Sequence, residues 1–145
     1  MHFILAGHGK QAIEIVNAAE MVFGQMDQID VVTFLPGENV DNLKEKYRNI
    51  INRYPEAEEI LFLVDLYGGS PYNAAFEIVA GEERMDVITG LNLPMLIDAA
   101  GIRMTMEGMK ASEVYEQLMV DSYVCSCKEI LKKVSEEKSE EDDEL

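Results

Sequence analysis

The sequence predicts an α/β fold: an open, mainly parallel β-sheet with helices on both faces and the active site at the carboxyl edge of the strands. Three observations predict it. Short apolar runs alternate with segments of helical periodicity, in the order β-α-β-α-β-α-β-α and then more helix, a pattern that parallel sheets with crossover helices produce. The run Ile60-Leu61-Phe62-Leu63-Val64 is apolar throughout, as a strand covered on both faces requires. Glycines, a histidine and an aspartate collect where those runs end, and open α/β sheets bind ligands at that edge.

Each element has its own local reason. Phe3–Ala6 is a short apolar run stopped by Gly7. From Gln11 to Phe23, Ala12, Ile15, Val16, Ala19, Val22 and Phe23 share one helical face, and Gly24 can end that helix. Ile29–Leu35 is rich in β-branched and aromatic residues and stops at Pro36-Gly37. Leu43, Tyr47, Ile50, Ile51 and Tyr54 form a helical stripe closed by Pro55. Ser70-Pro71 reads as an N-cap and first helical residue, opening a helix to about Ala80. Met85–Thr89 is a further strand, and Leu93–Ala100 a short helix with Pro94 in its first turn. Val120, Val124, Cys127, Leu131 and Val134 make a stripe that predicts helix for most of the C-terminal region and core packing for Cys127.

With 145 residues, the chain is long enough for one core. Residues 1–134 are read as a single domain and 135–145 as an acidic tail, disordered or frayed. That tail holds seven acids against one lysine. The net charge of −16 opposes phosphate-backbone neutralisation, so nucleic acid is not an expected partner, nor is an anionic membrane surface. The longest uncharged runs, Leu66–Phe76 and Val87–Ile97, are eleven residues each, too short to span a bilayer. With no basic leader, a cytoplasmic location is expected, with Cys125 and Cys127 as thiols.

The carboxyl-edge residues suggest phosphoryl chemistry. His8 lies between Gly7 and Gly9, which let the backbone turn tightly and keep the ring accessible. A neutral imidazole is nucleophilic at its unprotonated nitrogen. A carboxylate accepting from the other nitrogen fixes the tautomer and stabilises charge that grows during attack, and Asp65 is placed to do this. Gly68-Gly69-Ser70 leads into a helix N-terminus, whose free N–H groups attract anions. His8, Asp65 and Ser70 are therefore the catalytic candidates. The loops after the strands supply phosphoryl- and partner-binding candidates: Gly9, Pro36, Gly37, Tyr67, Gly68, Gly69 and Asn92. No metal or other cofactor is expected. Two alternatives from other classes are a serine hydrolase built on Asp65, Ser70 and His8, and a non-catalytic interaction module docking through its acidic tail. Gly7-His8-Gly9-Lys10 lacks the first P-loop glycine, with Gln11 in place of Ser/Thr. His2 carries no expected role.

The stretches Ala6–Gly9, Phe34–Asn39, Leu61–Ala75 and Gly90–Leu96 resemble, in order and spacing, the mannose-family enzyme IIA component of the bacterial phosphoenolpyruvate:sugar phosphotransferase system. The resemblance covers about residues 1–100. It implies that His8 takes a phosphoryl group on Nε2 from the phosphocarrier protein HPr and passes it to the IIB component. It implies that Asp65 orients the imidazole through Nδ1 and that the Ser70 hydroxyl lies near the phosphoryl group. Tyr67 stands where some members carry another aromatic. A homodimer is implied, with the membrane components IIC and IID engaged only indirectly, and a phosphotransferase that is a stand-alone IIA subunit in sugar transport. The phosphotransferase subunit of dihydroxyacetone kinase, with the same fold and histidine, is the near alternative.

Overall fold

The apolar runs become the strands of one sheet. The computed structural model describes residues 1–144. Among them, β1 (His2–His8), β2 (Ile29–Phe34), β3 (Ile60–Val64) and β4 (Met85–Thr89) pair in the order β2-β1-β3-β4. All three pairings are parallel. The connecting segments form α1 (Gln11–Phe23), α2 (Val40–Ile51), α3 (Ser70–Val79) and α4 (Leu93–Thr105).

Side-chain alternation decides which helices cover which face. Phe3, Leu5, Leu61 and Leu63 pack with Ala12, Ala19, Leu96 and Ala99 from α1 and α4. Ile4, Ala6, Phe62 and Val64 pack with Leu43, Tyr47, Ala74 and Ala75 from α2 and α3. Every residue of β3 is fully buried, which explains its unbroken apolar run. From β1 the chain passes first to β2 on one side, then returns to β3 on the other. The connections therefore diverge at the carboxyl ends of β1 and β3, where such sheets open a crevice. His8 is the last residue of β1 and Asp65 the first after β3.

Three helical expectations change. α4 runs to Thr105 rather than ending at Ala100. Its last turn is held by Arg103, which donates to the carbonyls of Asp27 and Gln28 (2.6 and 3.0 Å) and lies 4.1 Å over the Phe3 ring. The region after Ala111 is broken into a 3₁₀ turn at Ala111–Glu113, α5 (Val114–Gln117), a second 3₁₀ turn at Val120–Ser122 and α6 (Cys127–Asp143). Asp98 of α4 accepts from the Met119 N–H at 2.8 Å and from the Tyr123 hydroxyl, a demand that a continuous helix could not meet. Cys127 is not in the core: both cysteines are exposed free thiols, and no residue of α6 is buried. α6 continues through 135–143, where the charge run predicts a frayed or disordered end. Its Glu and Lys content favours helix. The last residue of the predicted tail, Leu145, lies outside the described residues.

His2, expected to be incidental, is 2% exposed. Its Nε2 donates to Asp30 at 2.7 Å, its ring lies 4.0 Å from that of Tyr54, and Nδ1 has no partner. Asp30 also accepts from Arg53 and the Tyr54 hydroxyl (2.7 and 2.9 Å). Burial holds the His2 imidazole below the usual histidine range, outweighing the pull of Asp30. The unfolded chain therefore takes this proton more readily than the native one. The stability His2 contributes is whole above about pH 6.5 and is lost as pH falls from there towards the lower native value. Melting temperature should drop as pH falls below about 6.5, and His2→Gln, which keeps a donor for Asp30, should flatten that drop. An equally steep drop in the variant would remove His2 as its cause.

Candidate functional site

The site is built where β1 gives way to α1. The Gly9 N–H donates to the Phe34 carbonyl at 2.8 Å, with Gly9 at φ +63°, a conformation that glycine adopts without a Cβ penalty. The chain thus turns away from the sheet directly after His8, leaving the imidazole at its edge. The His8 ring meets the Phe34 ring edge-on, with centroids 5.4 Å apart. Gly7 supplies space rather than a special conformation: a Cβ there would come within 3.2 Å of the Asp65 carboxyl carbon.

Asp65 faces His8 across the gap between β1 and β3. Its Oδ2 lies 2.9 Å from His8 Nδ1 and accepts the His8 main-chain N–H at 2.8 Å. A carboxylate can only accept, so Nδ1 carries the proton and Nε2 the lone pair. The His8 side chain is 45% exposed and that of Asp65 8%. A nearly buried charge therefore steers a solvent-facing nucleophile. Asp65 Oδ1 is buried without a partner.

The following loop completes the setting. The Gly69 N–H donates to the Leu66 carbonyl at 3.1 Å with Gly68 at φ +77°, the pattern of a type II turn with glycine at its third position. Asn73 Nδ2 donates to the Gly68 carbonyl at 3.1 Å and steadies the turn. The N-cap of α3 is Gly69, and Ser70 is its first helical residue. The sequence predicts Ser70 as the cap, but the turn brings the helix start one residue earlier than the Ser-Pro signature suggests. The Ser70 hydroxyl makes no capping bond. A Cβ on Gly69 would sit 3.0 Å from His8 Cε1, so the bare glycine lets the ring lie against the head of α3. The main-chain N–H groups of Ser70 and Tyr72 have no main-chain acceptor, and that helix end is electropositive.

The flanks are ordered as well. His8, Gly9, Phe34, Leu35, Pro36, Gly37 and Glu38 line a hollow of about 340 Å³. Glu38 accepts the Leu35 N–H at 2.8 Å and pairs with Lys46, which also donates to the Thr33 carbonyl. The Lys46 ammonium holds the Glu38 carboxyl below its usual range. Beneath the site, the buried Tyr47 hydroxyl donates to the Pro71 carbonyl at 3.0 Å, fastening α2 to the first turn of α3. Burial, then the Asp65 charge, raises the Tyr47 phenol above its usual range.

His8, Gly9, Asp65, Gly69, Pro36 and Gly37 are therefore drawn into one neighbourhood. Tyr67 is 75% exposed and packs on Tyr72, with centroids 5.0 Å apart, rather than on His8. Asn92 spends its side chain capping α4, accepting the Met95 N–H at 2.8 Å. The hydrolase alternative needs a Ser70–His8 hydrogen bond, and none forms. Among the described residues, no group of three or more His, Cys, Asp and Glu side chains is placed to hold a metal ion. Gln11 was overlooked as a site residue. Its amide donates to Asp65 Oδ2, and its place three residues after His8, at the head of a helix, was the available signal. Gly7 and Tyr47 act through space-making and anchoring, which spacing does not reveal.

Comparison with known proteins agrees with the fold and the motif stretches. The family described as PTS system fructose IIA component (EIIA-man) matches residues 2–119. The chain is 41% identical over 100 residues to the PTS system fructose-specific EIIA component of Bacillus subtilis, covering 69% of this chain and 68% of that protein. It is 40% identical over 95 residues to the PTS system mannose-specific EIIAB component of Escherichia coli, covering 66% of this chain but only 29% of that longer protein. The mannose/sorbose-specific IIA subunit of the phosphotransferase system from Enterococcus faecalis superposes with a TM-score of 0.75 at 26% identity, covering 86% of this chain and 92% of that one. The matched region includes every element that builds the His8–Asp65 pair, and the chain belongs to the mannose family of phosphotransferase-system IIA components, the phosphocarriers of sugar uptake.

Proposed function

We propose that His8 carries the phosphoryl group. The Nε2 lone pair attacks the phosphorus of a phosphohistidine on HPr; the new N–P bond forms as the donor's N–P bond breaks, and the donor imidazole keeps that electron pair. The Nδ1 proton stays in place, and the positive charge that grows on the ring faces the Asp65 carboxylate. The free N–H groups of Ser70 and Tyr72, with the Ser70 hydroxyl, hold the phosphoryl oxygens. Such preorganised donors contribute about 3 kcal/mol each where charge develops. The same steps in reverse pass the group to the IIB component. Gly9, Gly68, Gly69, Pro36 and Gly37 shape the approach to His8, and Tyr67 and Asn92 belong to the rim that meets partner proteins.

The observation that supports this reading is the 2.9 Å separation between Nδ1 and Asp65, which leaves Nε2 as the free nitrogen. On this reading the protein is the IIA subunit of a protein phosphohistidine–sugar phosphotransferase. It works in the cytoplasm as a homodimer and reaches IIC and IID only through IIB. Among the described residues no helix is long and apolar enough to cross a membrane.

The test is incubation with labelled phosphoenolpyruvate, enzyme I and HPr. The expected product is an acid-labile, base-stable phosphate that is absent from His8→Ala and is released on adding IIB. No label when the partners are shown to be active, or full label in His8→Ala, would overturn the assignment.

A further inference from the structure

Asp65 is anchored in an unusual way. Its Oδ1 is buried and has no partner, so nothing on that side holds the carboxylate. Oδ2 takes all the donors: the His8 main-chain N–H, His8 Nδ1 and the Gln11 amide. A carboxylate oxygen offers about two lone-pair directions, so three donors share two directions on this one. Two of the three donors belong to His8 itself, and the ring bond breaks whenever the imidazole turns. Gln11 is the one side-chain donor to Asp65, among the described residues, that does not belong to the nucleophile.

The surroundings fit Gln11 to this task. It is the first residue of α1, so its backbone is fixed by the helix. A Cβ on Gly7 would meet Asp65 Cγ, Asp65 Oδ2 and Gln11 Cγ at 3.2, 3.3 and 3.3 Å. The bare Gly7 thus gives the carboxylate and the Gln11 stem one shared floor. Two other charged groups lie nearby, Lys10 at the N-cap of α1 and Glu38, which lines the same hollow as His8, and neither hydrogen-bonds to Asp65. Gln11 is exposed and adds nothing to the core.

We infer that Gln11 is a positioning residue: it holds the Asp65 carboxylate in the rotamer that presents Oδ2 to His8 Nδ1, whether or not the ring is docked. It acts on phosphoryl transfer through Asp65 and then through the tautomer of His8. This rests on the phosphohistidine reading for its function, but not for its measurement.

The experiment uses the full chain with isotope-labelled imidazole nitrogens in alkaline buffer, comparing wild type with Gln11→Met, which keeps the stem and removes the donor. In wild type the neutral ring should carry its proton on Nδ1. In Gln11→Met the resonances should move towards a mixture of Nδ1–H and Nε2–H forms. Phosphoryl uptake from phospho-HPr should fall by about tenfold, equivalent to about 1.4 kcal/mol of barrier, with the melting temperature unchanged. Gln11→Glu, which sets a second negative charge against Asp65, should fall further. An unaltered tautomer spectrum in Gln11→Met, or full transfer by Gln11→Glu, would overturn the inference. The tautomer measurement needs no phosphoryl donor, so a wild-type chain that takes no label would defeat the phosphocarrier assignment and leave this result standing.

Discussion

Asp65→Asn should fold normally and transfer phosphoryl groups about a hundredfold more slowly than wild type, or worse. Asparagine has the same shape, and its carbonyl oxygen can still accept from the main chain and ring of His8. What it lacks is charge. As Nε2 bonds to phosphorus, the ring becomes positive, and in wild type that charge meets a carboxylate 2.9 Å away. Hydrogen bonds involving a charged group contribute about 1.5–3 kcal/mol, and the upper end of that range corresponds to about a hundredfold in rate. Stability should move the other way, or not at all. The Asp65 side chain is 8% exposed, and one of its oxygens is buried and unpartnered. Burying a charge costs free energy unless it is fully paired, so the neutral variant should melt at the wild-type temperature or above it. Thermal melting beside a phosphoryl-transfer time course checks both halves. Wild-type transfer by Asp65→Asn would take the carboxylate out of the mechanism.

Gly69→Ala should be the next most damaging change, for a steric reason. The added methyl would lie 3.0 Å from His8 Cε1 and 3.3 Å from the Leu66 carbonyl. The backbone at Gly69 is extended, at φ −72°, so alanine is tolerated conformationally and the helix still starts there. The part able to yield is the imidazole, which is exposed and turns about its side-chain bonds. Turning it breaks the Nδ1–Asp65 contact and carries Nε2 away from the head of α3. A misplacement of about 1 Å can cost about a hundredfold in rate. Transfer kinetics with HPr should show this loss while melting changes little. Gly68 differs: it needs its left-handed φ of +77°, so Gly68→Ala should strain the turn itself and lower stability as well as transfer.

Much of the fold was legible because the two central strands, β1 and β3, carry unbroken apolar runs and the segments between strands carry helical periodicity. β3 is buried on both faces, and nothing but an apolar run could fill it. The candidate site was legible for a similar reason. In a parallel sheet, residues just after strands must gather at one edge, so His8 and Asp65 could be paired before any distance was known. Other features left no periodic trace. The head of α3 moved by one residue because the type II turn, rather than the serine, ends the loop. The C-terminal stripe predicted continuous helix, but the Asp98 side chain draws Met119 and Tyr123 across α4, and a side chain 21 residues away from Met119 is invisible to local pattern. The packing of Cys127 was misjudged because a stripe shows which face is apolar, not whether another element covers it. His2 looked incidental because its partner Asp30 is 28 residues distant and meets it only once β1 and β2 pair.

The central claim is that Asp65 holds the proton on Nδ1 and thereby leaves Nε2 of His8 to bond phosphorus. Magnetic resonance of the phosphorylated protein, with isotope-labelled imidazole nitrogens, reads the phosphorus–nitrogen coupling directly. The account predicts phosphorus coupled to Nε2 of His8, with Nδ1 still protonated. Phosphorus on Nδ1, on the Ser70 oxygen or on another residue would contradict it.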